Sequence, residues 1–430
     1  MNTTHKFSLQ VCNNIKKLLP VVQTIEINTD LDYHGFSWYL SEKLGLDSTP
    51  YSNVGLWHGW LHWQIKSVEE LTLGVKRLKY LLPTQTEVSF FKEHNLDDVE
   101  AVGVPFIYVD EDMKNIPRYE KSLLVMPPHT LENSKSSWGE ESYIEDILKI
   151  SEHFDTLVFC IHQNSVEEKL WTQTLQKYNI PWIIGANAKD KNSLLRMKII
   201  FHSFEYMTSN SFGSHIAYAA YCNVKVFMYS NYIPLRRESF EELPYYKERS
   251  LLLEQLLKVY SQQYVKDRYP FFFVEHNQAK VMREWAVEVL GEKHKLSFED
   301  LASKLNIVKS KEQRAKELKK LEFSKNFNHF YSFVENLNKL EKKYMIFGAG
   351  TVGKTIASLL NFEIVGFLES HAKDNIIMAN NYNIYTPQEL KKLEYDYIII
   401  SVLGREEEII ETLEMKYYIS RDKIITFDEI

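Results

Sequence analysis

The stretch Met207 to Tyr229, MTSNSFGSHIAYAAYCNVKVFMY, constrains the fold of this chain more than any other. It reads as strand, small polar loop, short helix, strand. Ser209, Asn210, Ser211, Gly213 and Ser214 make the loop, and His215 to Tyr221 carries the helix formers Ala217, Ala219 and Ala220. Cys222-Asn223 breaks the helix, and Val224 to Tyr229 is a β-branched and aromatic run suited to a buried strand. A loop that opens directly into a helix leaves unpaired N–H groups aimed at one point. With the helix dipole they favour an anion such as a phosphate. The serine hydroxyls add donors, and Gly213 lets a ligand approach the backbone. The same residues also suit an ordinary N-capped helix between two core strands, and spacing alone leaves both readings open.

Strands and helices alternate along most of the chain, which predicts an α/β fold with parallel sheets. Residues 1–115 read as a first Rossmann-like domain. Its expected strands are Val21 to Ile27, Val54 to Trp60 and Val99 to Val104, and its expected helices are Phe36 to Leu44, Val68 to Leu82 and Val88 to His94. Residues 116–290 read as a second. Expected strands there are Ser122 to Met126, Thr156 to Ile161 and Ile180 to Ile184, with helices at Ile144 to His153, Val166 to Tyr178 and Leu194 to Phe201. In open parallel sheets, ligands sit beyond the carboxyl ends of the strands. His129, His162, Gly185-Ala186-Asn187 and the Ser209–Ser214 loop share that address.

Residues 291–340 read as a helical connector rich in Lys and Glu, and a membrane-surface role for its charged part is an open reading. Residues 341–430 read as a third, small Rossmann-like domain. Gly348-Ala349-Gly350-Thr351-Val352-Gly353 lies between a strand and a helix, and Glu369 ends the next strand. That context suits nucleotide binding by Gly348, Gly350, Gly353 and Glu369. A structural glycine turn in a vestigial nucleotide fold is the alternative. Too few residues follow Gly353 for a catalytic half, which argues against an oxidoreductase.

Composition excludes several classes. At 430 residues, two to three domains are expected. A net charge of −7 argues against a nucleic-acid partner. Cys12, Cys160 and Cys222 lie far apart, with no disulfide framework and no metal spacing, so the expectation is a reducing, cytoplasmic location without a catalytic metal. No apolar run is long enough to span a bilayer and no signal-peptide core opens the chain. A place at the inner face of the cell membrane stays open through a partner or a lipid-linked substrate.

The second unit resembles the donor half of GT-B glycosyltransferases. More closely, Ser209-Asn210-Ser211-Phe212-Gly213-Ser214-His215-Ile216-Ala217-Tyr218 resembles a pattern of bacterial capsule and lipopolysaccharide biosynthesis proteins. It follows an arginine-containing helix, Leu194 to Ile199 with Arg196, and a His58-Gly59-Trp60 segment stands upstream. A more distant similarity is to teichoic-acid polymerases and sialic-acid or Kdo transferases, which pair a His-Gly turn with a strand-end histidine. His58 and His162 match those positions. Relatives often carry an aspartate-rich stretch where this chain reads Gly185-Ala186-Asn187-Ala188-Lys189-Asp190. The last domain resembles the N-terminal nucleotide-binding domain of bacterial sugar acetyltransferases, on FGAGTVGK, IVGFLES, Tyr385-Thr386-Pro387 and IIIS.

These resemblances imply a metal-independent GT-B glycosyltransferase. It would move a sugar from a nucleotide-activated donor to a growing capsule or lipopolysaccharide chain, with an oligosaccharide or lipid-linked saccharide as acceptor. The transfer itself would need no cofactor, and the last domain would take a nucleotide or nucleotide sugar. An imidazole suits removal of the acceptor proton. His58, on the acceptor side in residues 1–115, is the expected base, and His162 is the expected second catalytic histidine. Ser209, Asn210, Ser211, Gly213, Ser214, His215, Arg196 and His129 are the expected donor contacts of the donor-side domain, residues 116–290. The alternatives are transfer of a nucleotide-activated phosphopolyol and a non-catalytic nucleotide-sugar-binding assembly protein.

Overall fold

The computed structural model describes residues 3–72, 77, 79–110, 112–128, 139–240, 244–247, 249–307, 329–370, 378–379 and 382–427. The chain divides into two compact units, Met1–Arg314 and Ala315–Ile430. Both are mixed α/β with parallel sheets, the class that strand–helix alternation predicts.

Unit 1 holds two sheets. The first has three parallel strands in sequence order, β1 (Gly55–Leu56), β2 (Tyr80–Leu82) and β3 (Val99–Ala101). The second has five parallel strands, β4 (Tyr119–Val125), β5 (Thr156–Ile161), β6 (Trp182–Ile184), β7 (Phe204–Ser209) and β8 (Lys225–Met228), in the order β6-β5-β4-β7-β8. All six residues of β5 are buried, because a central parallel strand is covered by helices on both faces. Side chains alternate accordingly. Leu124, Val158, Met207 and Val226 enter one apolar cluster with Phe201, Ile216 and Ala220, while Leu123, Leu157, Phe159 and Phe227 enter another with Tyr143, Ile147 and Trp171. Strand order reverses between β4 and β7, and that switch point is where such sheets bind ligands.

The first of those clusters also contains Phe36, Leu56, Leu81 and Phe106 from residues 1–115, so one core runs through both sheets. Two segments pack outside the regions expected for them. Helix Thr3–Leu18 lies against the second sheet, where Leu157 N–H donates to Ser8 Oγ (2.9 Å) and Cys12 Sγ donates to Trp182 O (3.4 Å). Helix Phe298–Lys304, expected within the connector, returns to the first sheet, with Lys304 Nζ 2.8 Å from Glu100 and Ser52 Oγ donating to Leu305 O (2.6 Å).

Three sequence readings change. Tyr80–Leu82 is strand β2, whereas the spacing of Leu71, Val75, Leu78 and Leu82 suggests a helix through it; among the described residues of that stretch, Glu69–Thr72 is helical. Val21 to Ile27 is no strand, and holds a single bridge, Thr24 to Asp190. The expected helix Val166 to Tyr178 breaks into Gln163–Glu167 and Thr172–Lys177. Lys169 and Trp171 take φ of 61° and 65°, and Glu140 holds the break by accepting from Trp171 N–H (2.9 Å) and Thr174 Oγ1 (2.6 Å).

Unit 2 has a six-stranded sheet of β9 (Tyr344–Phe347), β10 (Ile364–Leu368), β11 (Met378–Ala379), β12 (Tyr382–Tyr385), β13 (Tyr397–Ile400) and β14 (Ile424–Ile425). Its order is β11-β12-β10-β9-β13-β14, parallel except for the β11–β12 pair. Residues 329–340 are helical, and Phe333, Val334 and Leu337 pack on Tyr344 and Ile346.

Candidate active site

All five strands of the second sheet deliver their following residues to one cleft. Met126-Pro127-Pro128 follow β4, His162 follows β5, Gly185-Ala186 follow β6, Ser211 to His215 follow β7, and Ile233-Pro234-Leu235 follow β8. The first sheet supplies the opposite wall through His34, Trp57 to Trp60, Trp63 and Phe106. The cleft encloses about 490 Å³, a volume suited to a small-molecule ligand. Among the described lining residues there is no Asp, Glu, Lys or Arg, so polarity comes from imidazoles, hydroxyls and backbone.

His58 stands at the end of the turn after β1. Its ring stacks on Tyr33 (centroids 4.7 Å, planes 12° apart) and on Trp57 (5.6 Å, 25°), with His34 tilted against it at 5.5 Å. Burial lowers its pKa to about 4, so the imidazole is neutral at pH 7 and a weaker base than a free imidazole until a substrate charge offsets the burial.

The turn that carries His58 is clamped by the helix Ser214–Tyr221. Ser214 Oγ accepts from Trp60 N–H (3.0 Å), and Tyr218 OH donates to the His58 carbonyl (3.0 Å). Residues 214 and 218 are one helical turn apart, so both hydroxyls reach the same turn. Tyr218 also stacks on Phe106 (4.1 Å, 10°). Gly59 is needed here, because a Cβ would lie 2.9 Å from Ser214 Oγ. Ser214 therefore lines the cleft with its hydroxyl already engaged, which reduces what it offers a donor.

On the other wall, His162 caps the helix Gln163–Glu167, its Nδ1 accepting from Asn164 N–H (3.2 Å). That contact places the ring proton on Nε2, a hydrogen-bond donor. Ser209 gives its proton to main-chain oxygen, Met126 O at 2.7 Å or Ser211 O at 3.0 Å. The His215 Nε2 contact to Ser209 Oγ (3.2 Å) is then a donation by the imidazole. Cys160 lies in the floor, its thiol pKa pushed up to about 12 by burial, which makes it a poor nucleophile.

Of the residues singled out from sequence, His58, His162, Ser211, Gly213, Ser214 and His215 line the cleft. Ser209 and Asn210 are buried behind it; Asn210 O accepts from Ile233 N–H (2.7 Å) and fixes the loop after β8. Arg196 corrects an expectation. Its side chain is 5% exposed, pairs with Asp190 at 3.4 Å and donates to Pro20 O, so it ties down the crossing segment after helix Thr3–Leu18 and does not enter the lining. His129 lies outside the described residues.

In unit 2, Gly348 takes φ 103°, where a Cβ would lie 2.7 Å from Val402. Gly353 packs so closely on Gly348 O that any Cβ would overlap it, while Gly350 faces open space. The Glu369 carboxylate accepts from Ala349 N–H (2.7 Å), and Ser401 Oγ donates to Phe347 O (2.8 Å) or Gly348 O (3.0 Å). Glu369 thus meets the glycine loop itself.

Sequence reasoning missed His34 and the aromatic wall. A signal existed: Tyr33-His34-Gly35-Phe36 and Trp57-His58-Gly59-Trp60 are the same aromatic-His-Gly-aromatic pattern. Among the described residues no group of three or more His, Cys, Asp or Glu is placed to hold a metal ion, and no helix is long and apolar enough to cross a membrane.

Among known proteins, the profile of the family described as C2185-like, N-terminal, matches residues 340–425. None of the curated proteins compared matches the chain. Among solved structures, the S. aureus MnaA–UDP co-structure is similar at 13% identity, with 71% of this chain and 87% of that one covered and a TM-score of 0.32. The wall teichoic acid polymerase TagF is similar at 12% identity over 56% and 68% (TM-score 0.27). WaaG, a glycosyltransferase involved in lipopolysaccharide biosynthesis, is similar at 9% identity over 66% and 95% (TM-score 0.24).

Proposed function

We propose that unit 1 is a glycosyltransferase of GT-B type that moves a sugar from a nucleotide-activated donor to a hydroxyl of a surface polysaccharide, capsule or lipopolysaccharide. The observation that carries this is the meeting, in one cleft, of a neutral His58 from the first sheet with the loop Ser211–His215 at the switch point of the second. In the reaction the acceptor oxygen attacks the anomeric carbon and its proton passes to His58. The sugar–phosphate bond breaks, and its electron pair leaves with the nucleotide phosphate. His162 Nε2–H and the N–H groups at the start of helix Ser214–Tyr221 would stabilise that charge. Aromatic side chains such as Trp57, Trp63 and Tyr260 would take the less polar face of the acceptor. The transfer requires no metal in this proposal. For unit 2 we propose nucleotide or nucleotide-sugar binding at the loop Gly348–Gly353, with Glu369 moving from Ala349 to the ligand. A cytoplasmic place at the inner membrane face would suit a lipid-linked acceptor.

The test is thermal unfolding with CMP, CDP, UDP, GDP and NAD in turn. A nucleotide at a hundredfold its Kd should add about 2.7 kcal/mol to the stability of the unit that binds it. Unfolding of unit 1 that responds to none of the five would overturn the reading of its cleft.

A further inference from the structure

We propose that the end of the cleft lined by Trp63 and Tyr260 selects an acceptor sugar bearing an acetamido group. The Tyr260 hydroxyl donates to the acetamido carbonyl, and a side chamber beside Trp63 takes the methyl. This rests on the reading of the cleft as a glycosyl-transfer site.

The hydroxyls of the neighbouring tyrosines are spent on main chain. Tyr218 donates to His58 O (3.0 Å), Tyr232 to Tyr260 O (3.1 Å) and Tyr269 to His62 O (2.8 Å). Tyr260 lines the cleft too, and its own hydroxyl has no hydrogen-bond partner among the described residues. Unlike Tyr143 OH, which is sealed in the core, it keeps contact with solvent. Burial of the side chain raises its pKa above the ordinary tyrosine range, so the group stays protonated and able to donate. The residue is held from two sides. Tyr232 grips its carbonyl, and the His62 ring meets its ring edge-on (4.5 Å, 87°), with His62 Nε2–H donating to Val259 O (3.1 Å). A tyrosine hydroxyl in apolar surroundings ordinarily finds a partner. Here that partner comes with the ligand.

A side chamber of about 30 Å³ adjoins this end of the cleft, and Trp63, Tyr246 and Leu256 belong to the walls of both. That is room for one water- or methyl-sized group. Leu252, Leu256 and Val259 of helix Ser250–Val259 make much of its wall, which favours the methyl. The carboxylate in that wall, Glu70, is already spent. Its Oε2 accepts from Trp63 Nε1–H (2.7 Å) and its Oε1 from the N–H groups of Lys66 and Ser67 (2.9 Å each). Glu70 thereby fixes the Trp63 indole, the flat surface against which a sugar ring would lie. A plain hydroxyl would answer Tyr260 and leave the chamber empty, and an alkyl group would do the reverse. An acetamido group brings a carbonyl oxygen and a methyl on one rigid plane. No bond forms or breaks at either place, so the effect falls on the choice between acceptors.

The experiment measures binding of the methyl glycosides of glucose, galactose, N-acetylglucosamine and N-acetylgalactosamine by saturation-transfer NMR. Wild type, Tyr260→Phe and Leu252→Phe are compared, each with its melting curve and its affinity for CMP, CDP, UDP and GDP. We expect wild type to hold the acetamido sugars roughly tenfold more tightly than the plain hexoses, from one buried methyl and one hydrogen bond. Tyr260→Phe keeps the ring and should weaken acetamido binding about three- to tenfold. Leu252 belongs to the chamber and not to the cleft lining, so Leu252→Phe should bring acetamido binding down to near that of the hexoses. Nucleotide affinity should stay within about twofold in both, since neither hydroxyl nor chamber belongs to the donor loop. Equal wild-type affinity for the two kinds of sugar overturns the selection, as does unchanged acetamido binding in either folded variant. Nucleotide binding without binding of any glycoside also overturns the selection, and leaves the transfer reading standing. A wild type that binds neither nucleotide nor glycoside overturns both.

Discussion

The loop after β7 and the loop after β9 flank the points where strand order reverses in two sheets of related order, β7 as the fourth strand of its sheet in sequence and β9 as the first, and their surroundings treat them differently. After β7, the inner hydroxyl of Ser209 turns to main-chain oxygen and Ser214 grips the His58 turn, so the loop is built into a wall between two sheets. It shares the cleft with three imidazoles from other segments, those of His34, His58 and His162. After β9, the loop closes on its own sheet: Gly353 lies against Gly348 O, and Glu369 takes the N–H of Ala349. A small-residue loop at a switch point therefore fixes a location. The chemistry is set by what other segments bring to it, imidazoles in one unit and a carboxylate in the other.

Acid should separate the two units most strongly. Burial holds the pKa of His58 near 4 and that of His62 near 3, against about 6.5 in the unfolded chain. The unfolded state therefore binds protons first as pH falls. Stability contributed by these neutral rings is complete above about pH 6.5 and is lost progressively down to about pH 4 for His58 and pH 3 for His62. For His58 alone that amounts to about 3 kcal/mol. Amide protection in β1 and β7, taken relative to the intrinsic exchange rate at each pH, should fall between about pH 6.5 and 4.5, and His58→Phe should blunt the change. An unaltered pH response in a folded His58→Phe protein would contradict the assignment.

Glycine substitutions sharpen the same contrast. Gly353→Ala forces the unit 2 loop to move and should cost about 3 kcal/mol, read as faster exchange of β9 and β13 amides. Gly213→Ala meets only the His215 ring, at 3.4 Å, and should cost less than about 1 kcal/mol. Equal costs would erase the distinction between a closed loop and an open one.

Tyr218→Phe is the subtler probe. It removes the hydroxyl that holds the His58 carbonyl while keeping the stack on Phe106. A stability loss of about 1 kcal/mol is expected. The rate of transfer should fall further than the folded fraction, because His58 loses a support. A rate that simply tracks the folded fraction would make the clamp structural only.

Much of this was legible in the sequence, and the failures have physical causes. The continuous apolar run Thr156 to Ile161 and the strand–loop–helix–strand at Met207 to Tyr229 carry their own signals, so β5, β7 and β8 were placed. The positions of His58 and His162 in the cleft were legible because each ends an apolar run. Arg196 misled because an arginine near a candidate phosphate loop looks like a ligand, whereas its partner Asp190 is set by tertiary crossing. The break at Lys169–Trp171 is likewise imposed by Glu140, distant in sequence. Helix Thr3–Leu18 offered no caution that it would cover the sheet of a later domain. His34 was missed although its aromatic-His-Gly-aromatic run repeats that of His58, because the closeness of the two rings exists only in three dimensions.

The central claim is that His58 is the base that takes the acceptor proton in a cleft that holds a nucleotide-activated donor. Its direct test is the single-turnover rate of nucleotide release by His58→Ala, measured with the donor that thermal unfolding identifies. The melting curve and nucleotide affinity are recorded on the same sample. A general base contributes about 10²- to 10⁴-fold to rate, so a fall of that order with nucleotide affinity nearly intact is expected. A folded His58→Ala protein that keeps more than about a tenth of the wild-type rate would contradict the claim.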